Sequence, residues 1–191
     1  MKKTLAELKK DILFNVTLRG RPFIFATTWG LFSPEKIDDG SYLLIENAKI
    51  GPHDRVLDVG CGYGAIGIAL APSTDNEVHM TDKDYIAIEY AEKNAKNNKI
   101  VNSFSYLSNG FDRVQGKFDA IVSNLPAKVS KEMYWILFEE AHEHLNAGGV
   151  FYVVVIAGLK EFIKRNFTNI FGNFEKVAHT NNHMVAKAVR T

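Results

Sequence analysis

The chain has few of the features on which crosslinked, metal-binding or membrane proteins depend. It contains one cysteine, which excludes an internal disulfide and suits a reducing compartment. No apolar run approaches the length of a membrane span, and the basic N-terminus lacks the apolar run and cleavage site of a signal peptide. The histidines are scattered, without metal-ligand spacing. We therefore expect a cytoplasmic protein with no metal and no membrane association.

Net charge is close to zero, but it is distributed unevenly. Residues 1–21 and 157–191 each carry a net charge of +4, and residues 22–156 carry −7. If both ends fold to one side, they form a basic face for a polyanion. The alternative is two solvated termini that share no surface. The sequence leaves both arrangements open.

The most informative stretch runs from Arg55 to Ala71, RVLDVGCGYGAIGIALA. A strand-like segment leads into three alternating glycines, Gly60, Gly62 and Gly64, and an apolar helical run follows at once. This order predicts the first unit of a doubly wound α/β sheet, whose glycine turn binds a nucleotide-like ligand. Because Gly62-x-Gly64-x-x-Gly67 also fits the dinucleotide fingerprint, an NAD-dependent oxidoreductase remains an alternative.

Asp58 favours a different ligand, because a carboxylate at the end of the strand would repel a pyrophosphate. It suits a ligand that carries a cationic amino group. The pattern Asp-x-Gly-x-Gly-x-Gly, from Asp58 to Gly64, resembles motif I of the class I S-adenosylmethionine-dependent methyltransferases. The resemblance implies that Asp58 and the three glycines bind S-adenosylmethionine (AdoMet).

Seven strand-like segments follow one another from Arg55 onward, and the last two are joined by the short turn Thr180–His183. A turn this short requires antiparallel pairing. We predict an α/β fold with a doubly wound, Rossmann-like, mostly parallel seven-stranded sheet and a C-terminal antiparallel β-hairpin. Residues 1–191 are expected to form a single domain, in which a cap segment (1–50) precedes the cofactor-binding core (51–191). Within the cap, residues 2–12 predict a short amphipathic helix or frayed arm, and residues 13–28 a small hairpin or extended segment.

Polar residues follow the second and third strands of this core. Asp82 ends the second strand, where a carboxylate can accept hydrogen bonds from ribose hydroxyls. In related methyltransferases an Asp at the position of Asn109 accepts a hydrogen bond from the adenine amine. Asn109 is a candidate for that role, although its amide carries no charge. The alternative is that Asn109 and Gly110 form a plain Asn-Gly turn. We add Lys83 and Gly110, which neighbour these residues, to the expected cofactor site.

Asn124, Leu125 and Pro126 follow the fourth strand and are the catalytic candidates. With Ala127 they resemble the Asn-Pro-Pro-aromatic motif of amine-directed methyltransferases. The resemblance implies that the Asn124 side-chain oxygen and the Leu125 carbonyl accept hydrogen bonds from the target NH₂ group. Ala127 replaces the aromatic that stacks on a flipped base, so we expect Phe32 or Trp29 to supply that ring. We expect Lys128 to contact an RNA phosphate beside this site.

The segment Leu31-Phe32-Ser33 to Asp39-Gly40-Ser41 extends the likeness. With motif I it looks like the small methyltransferase domain of ribosomal RNA guanine-N2 methyltransferases and their short archaeal relatives. The resemblance implies an AdoMet-dependent enzyme that methylates an exocyclic amine of an RNA base, with guanine N2 of ribosomal RNA preferred. The partner is then RNA, and the enzyme a monomer or homodimer.

Two other classes of function remain open. One is a methyltransferase for a protein side-chain amide or a small-molecule amine, which the missing aromatic at Ala127 favours and the basic termini disfavour. The other is a binding module that holds RNA or a partner without catalysis, which the altered motif at Asn124 permits.

Overall fold

A computed structural model describes residues 4, 8, 10–126 and 129–191. The strands are β1 (Ile12–Leu18), β2 (Arg21–Thr27), β3 (Val56–Val59), β4 (Val78–Asp82), β5 (Ser103–Leu107), β6 (Phe118–Asn124), β7 (Leu145–Ile156), β8 (Glu175–His179) and β9 (His183–Val189). The helices are α1 (Asp39–Asn47), α2 (Ala65–Leu70), α3 (Tyr85–Asn97), α4 (Lys131–His144) and α5 (Lys160–Phe171), with short 3₁₀ turns at Ala71–Ser73 and Ala157–Leu159.

The central sheet confirms the predicted fold class. Its seven strands lie in the order β5-β4-β3-β6-β7-β9-β8. The first five strands in this order are parallel, while β9 pairs antiparallel with both β7 and β8. The chain order reverses beside β3, which has β4 on one side and β6 on the other. In open α/β sheets the crevice at such a reversal, outside the carboxyl ends of the strands, is where ligands bind.

Two apolar clusters cover the two faces of this sheet. Alternate strand residues enter each cluster, as the period of a strand requires: Val56 and Val122 face one side, and Leu57 and Ile121 the other. The first cluster includes the N-terminal hairpin with α1, α2 and α3, and the second includes α4 and α5. The described part of the basic N-terminal segment and the basic helix α5 therefore lie on opposite faces, which favours the reading of two separate termini.

The N-terminal hairpin confirms the prediction for residues 13–28. Its two-residue turn has positive φ at both positions, Arg19 (50°) and Gly20 (74°), as a tight hairpin turn requires. The guanidinium of Arg19 also donates to the carbonyls of Ile45 and Ala48. These bonds join the C-terminal end of α1 to the turn of the hairpin. The short amphipathic helix or frayed arm predicted for residues 2–12 falls mostly outside the described residues. Ile12, the last position of that prediction, begins β1 because it pairs with Thr27.

Two side-chain amides, one in α3 and one on its C-cap residue Asn98, pair with the free edge of β2. Asn94 accepts from the N–H of Ala26 (2.7 Å) and donates to its carbonyl (2.9 Å). Asn98, one helical turn later, makes the same pair of bonds with Ile24 (2.9 and 2.8 Å). The two amides thus occupy the positions that a neighbouring strand would take, and they satisfy backbone groups that would otherwise be unpaired. Asn94 is fully buried and makes a third bond, to the carbonyl of Tyr63 (2.9 Å).

None of the helices in the described part of the chain is long and apolar enough to cross a bilayer.

Asn94→Ala should lower the free energy of unfolding by about 2–4 kcal/mol, because it leaves buried backbone groups of Ala26 and Tyr63 without partners. Urea denaturation of the two proteins measures the difference. Asn97→Ala is the matched control, since Asn97 is an exposed asparagine of the same helix, and its effect should stay within about 0.5 kcal/mol. Equal midpoints for both variants would contradict the role assigned to Asn94.

Candidate active site

The ends of β3, β4, β5 and β6 meet at one edge of the sheet because these strands are parallel and adjacent. This edge brings together the glycine turn after β3, Asp82 at the end of β4, Asn109 after β5 and Asn124 at the end of β6. The sequence-predicted cofactor and catalytic candidates that the structure describes therefore lie along one edge of the sheet, and we call the region outside these strand ends the crevice. Ser123 fixes the spacing within it by donating from its buried hydroxyl to the Val59 carbonyl (2.8 Å).

Backbone hydrogen bonds hold the glycine turn against β4. The N–H groups of Gly60 and Cys61 both donate to the Thr81 carbonyl, at 2.8 and 2.9 Å. Gly60 and Gly62 have positive φ (72° and 55°), and a Cβ at either position would meet no atom within 4 Å. Both glycines therefore border open space in a conformation that disfavours side chains, so a ligand can approach their backbone closely.

Gly67 serves packing instead, because a Cβ there would lie 2.5 Å from Cγ of Met80 on β4. Gly64, the N-cap of α2, is also crowded: its Cβ would lie 2.9 Å from the side chain of Ile68 and 3.2 Å from Met80. The third and fourth glycines of the motif thus let α2 approach β4 closely. Contact of Gly64 with the cofactor stays a prediction.

Asp58 lies beneath the turn and is fully buried. Its Oδ2 accepts from the Gly67 N–H in the first turn of α2 (2.8 Å), while Oδ1 has no hydrogen-bond partner among the described residues. Burial raises the pKa of this carboxyl from 3.8 to about 7; the Gly67 bond opposes the shift and the Asp82 charge adds to it. A buried carboxyl with an unused acceptor is suited to a cation bound nearby.

Asp82 is half-buried and has two backbone partners. Oδ2 accepts from the N–H of Gly62 (2.9 Å), and Oδ1 from the N–H of Asp84 (3.0 Å). Each oxygen keeps one further acceptor site, so the predicted ribose contact remains compatible with these bonds. Asp84, not Asp82, caps α3, through a bond from the N–H of Ile86 (2.9 Å).

Three further cofactor candidates surround Asp82. Lys83 follows it directly and is exposed. Asn109 is also exposed, and Gly110 has a φ of 57° in the turn after β5. The strand pair β4–β5 sets Leu107 opposite Asp82, so the turn containing Asn109 and Gly110 begins beside that carboxylate.

The side chain of Asn124 is held by two residues of the cap segment, a contact that the sequence did not predict. Its Nδ2 donates to Oδ2 of Asp38 (3.0 Å) and to Oγ of Ser41 (2.8 Å). Asp38 is the N-cap of α1 and accepts from the Ser41 N–H with the same oxygen (3.1 Å). Among the described residues, no donor bonds to Oδ1 of Asn124 or to the Leu125 carbonyl. Within the part of the chain that the structure describes, two acceptors of the candidate catalytic motif are thus available.

The rest of the candidate catalytic motif is anchored in the core. The Leu125 side chain is buried, and its N–H donates to the Val154 carbonyl of β7 (3.0 Å). The hydroxyl of Tyr134 on α4 donates to the Pro126 carbonyl. Pro126 adds a fixed φ, so the chain leaves β6 along a defined path.

The predicted substrate residues differ in their surroundings. Phe32 is 68% exposed, on the loop that leads to Asp38, whereas Trp29 is half-buried. Lys128 lies outside the described residues, together with Ala127. Cys61 is buried, and burial raises the pKa of its thiol, which agrees with a packing role. Within the described ranges, no group of three or more His, Cys, Asp or Glu side chains is arranged to hold a metal ion.

Comparison with known proteins identifies the class to which this fold and crevice belong. Residues 22–187 match the methyltransferase small domain, so the chain belongs to that family and is an AdoMet-dependent methyltransferase. The uncharacterized protein YbxB of Bacillus subtilis is 37% identical over 142 residues, which cover 72% of this chain and 71% of YbxB.

Two other relatives carry functional names. Ribosomal RNA small subunit methyltransferase C of Klebsiella pneumoniae is 32% identical over 185 residues, covering 94% of this chain and 51% of the relative. The solved T. thermophilus 16S rRNA N2 methyltransferase RsmC, in complex with AdoMet and guanosine, superposes with a TM-score of 0.86 at 26% identity, covering 95% of this chain and 51% of that one. The chain thus spans about half the length of both.

The crevice fits AdoMet on two observations: the open space over Gly60 and Gly62, and the unused acceptor of Asp58. When bound, AdoMet supplies an activated methyl group. We propose that the two glycines approach the cofactor through their backbone, that Asp82 accepts from its ribose, and that the unused Oδ1 of Asp58 accepts from its amino group. The same edge of the sheet also carries the three other cofactor candidates, Lys83, Asn109 and Gly110.

The raised pKa of Asp58 predicts a pH dependence of stability. Between its ordinary value of 3.8 and about 7, the folded protein keeps a proton that the unfolded chain has released. The free energy of unfolding should therefore fall as pH rises through this window, by about 1.4 kcal/mol per unit at most. Asp58→Asn cannot titrate, so the difference between the variant and the wild type should grow in the variant's favour from pH 4 to pH 7.5. Urea denaturation at several pH values measures this difference, and a constant difference would contradict the assignment.

Proposed function

We propose that this enzyme methylates an exocyclic amine of an RNA base, namely guanine N2 of ribosomal RNA. The observation that carries the proposal is the orientation of Asn124, whose amide nitrogen is fully engaged while Oδ1 has no donor among the described residues. With the Leu125 carbonyl it offers two acceptors at adjacent residues. An NH₂ group has two hydrogens to donate, and such bonds turn its lone pair toward the methyl donor.

This arrangement supports catalysis by positioning. The methyl group of AdoMet is already activated, so the protein has to hold the amine nitrogen in line with it and exclude competing orientations. Asn124 and Leu125 are the residues that we assign to this task, and Pro126 keeps their carbonyl-bearing segment rigid. No covalent nucleophile is needed, which agrees with the buried, protonated thiol of Cys61.

The names of the relatives support an RNA substrate. The K. pneumoniae relative is named for small-subunit ribosomal RNA, and the T. thermophilus structure contains guanosine as well as AdoMet. We extend both features to this chain as part of the proposal, which also places the enzyme in the cytoplasm. Because the described part of the basic N-terminal segment and helix α5 lie on opposite faces, we expect RNA contacts to come from groups around the crevice and not from a joint basic face. Lys128, which follows Asn124-Leu125-Pro126-Ala127 in the sequence, stays a candidate for such a contact.

Incubation with methyl-labelled AdoMet and unmodified ribosomal RNA, followed by digestion to nucleosides, tests the proposal. Label should appear in N2-methylguanosine. Asn124→Ala should lower turnover by about 100-fold or more, because the amine loses its positioning acceptor, and leave AdoMet affinity within about twofold. Asn97→Ala, on the exposed face of α3, is the control and should match the wild type.

The other outcomes separate the alternatives. Label in a different RNA base would keep the mechanism and reject guanine N2. Label in ribosomal protein or a small amine would reject RNA as the substrate. Measurable AdoMet binding with no label in any of these acceptors would favour a non-catalytic binding module.

The exposed ring of Phe32 generates a second prediction for the same assay. If it stacks on the substrate base, Phe32→Ala should raise the KM for RNA by about 10-fold, since stacking on one ring contributes about 1–3 kcal/mol. AdoMet affinity should not change. Phe104→Ala removes another exposed ring, 48% accessible and on β5 at the edge of the sheet, and should have no effect. Trp29→Ala tests the second candidate ring, and normal kinetics for both Phe32→Ala and Trp29→Ala would reject stacking by this segment.

A further inference from the structure

The amide of Asn124 has its orientation determined by two side chains that lie 83 and 86 positions earlier in the chain. Both hydrogens of Nδ2 are directed at oxygens of the N-terminal segment, one at Asp38 and one at Ser41. An ionised carboxylate accepts hydrogen bonds and cannot donate one. The nitrogen of the amide, and not its oxygen, must therefore face Asp38.

A rotation of the amide by 180° would reverse this arrangement. Oδ1 would then lie about where Nδ2 is now, 3.0 Å from Oδ2 of Asp38, and two acceptors would oppose each other. The hydroxyl of Ser41 can rotate to donate, so Asp38 decides the orientation and Ser41 reinforces it. In the rotated state the NH₂ of Asn124 would also face the substrate amine, donor against donor.

We propose that Asp38 and Ser41 are positioning residues for methyl transfer, because they lock Asn124 in the orientation in which Oδ1 accepts from the substrate amine. The inference rests on the proposed function, since it requires an amine as the methyl acceptor. It makes the segment before the cofactor-binding core part of the catalytic apparatus, although neither residue touches the reacting atoms.

The surroundings of α1 keep these two residues in place. Ser41 is buried, and α1 packs against β7 and β9. A Cβ on Gly40, between them, would lie 3.0 Å from both Oδ2 of Asp38 and Cδ2 of His183. Any side chain at position 40 would therefore press on the carboxylate that holds Asn124. This contact explains why the Asp-x-Gly-Ser pattern has a glycine between Asp38 and Ser41.

The variants have to separate positioning from helix capping, because Asp38 also caps α1. Asp38→Ser keeps a good N-cap but is too short to reach Asn124. Ser41→Ala removes the second acceptor and leaves the capping bond, which uses the backbone N–H of Ser41. Asp38→Asn is the conservative rescue, because its amide oxygen can take the place of Oδ2 for both bonds. Asp39→Ser, at the exposed neighbouring acid, is the matched control.

Steady-state kinetics with saturating RNA should show a split between kcat and KM. We expect the double variant Asp38→Ser/Ser41→Ala to lower kcat by about 10- to 100-fold, with the KM for AdoMet within about twofold of the wild type. Asp38→Asn and Asp39→Ser should stay within about threefold in kcat. A double variant with the wild-type kcat, in an assay where Asn124→Ala is inactive, would overturn the proposal.

A spectroscopic measurement tests whether Asp38 and Ser41 hold the Asn124 amide, and it does so even if RNA is not the substrate. The side-chain NH₂ signals of Asn124, assigned by their loss in Asn124→Ala, should exchange slowly with solvent in the wild type and about 10-fold faster or more in the double variant. Unchanged exchange would overturn the lock. If exchange is faster in the double variant but the wild type has no activity on RNA, the proposed substrate is rejected. The role of Asp38 and Ser41 in orienting Asn124 would then still stand.

Discussion

The close approach of α2 to β4 determines the geometry of the crevice. It requires a residue without a Cβ at position 67, where a side chain would collide with Met80. The same approach brings the Gly67 N–H within reach of Asp58 on β3, so helix and strand are joined by a buried hydrogen bond (2.8 Å). The turn between them is then anchored on the Thr81 carbonyl. The space over Gly60 and Gly62 is consequently formed by packing and backbone bonds before any ligand enters, which is the preorganisation that tight binding needs.

The N-terminal segment completes the site from two directions. Through Asn94, the hairpin is joined both to α3 and to the carbonyl of Tyr63 inside the glycine turn. Through Asp38, the start of α1 is joined to Asn124 at the end of β6. Each link runs through a side-chain amide: Asn94 has partners for its nitrogen and its oxygen, and Asn124 has partners for both hydrogens of its nitrogen. Such links are directional, so they specify orientation as well as proximity, which apolar packing alone would not do.

The sequence predicted those parts of the molecule that local patterns determine. The strand–turn–helix at Arg55–Ala71, the succession of seven strands along the chain and the terminal antiparallel hairpin all follow from periodicity and turn residues. These features depend on neighbours a few residues apart.

Contacts between distant residues were not readable in this way. Asp38 has the sequence signature of a helix cap, and nothing local distinguishes a cap that also binds Asn124, 86 positions away. Asn94 has the pattern of an ordinary polar helix position, and its burial follows only from where the hairpin docks. The most direct measurement of the central claim is a crystal structure of the enzyme with S-adenosylhomocysteine and guanosine. The account predicts guanine N2 within about 3 Å of Oδ1 of Asn124, with the Asp38–Asn124 bond intact. A guanine bound elsewhere, or an Asn124 amide turned with its nitrogen toward the base, would contradict it.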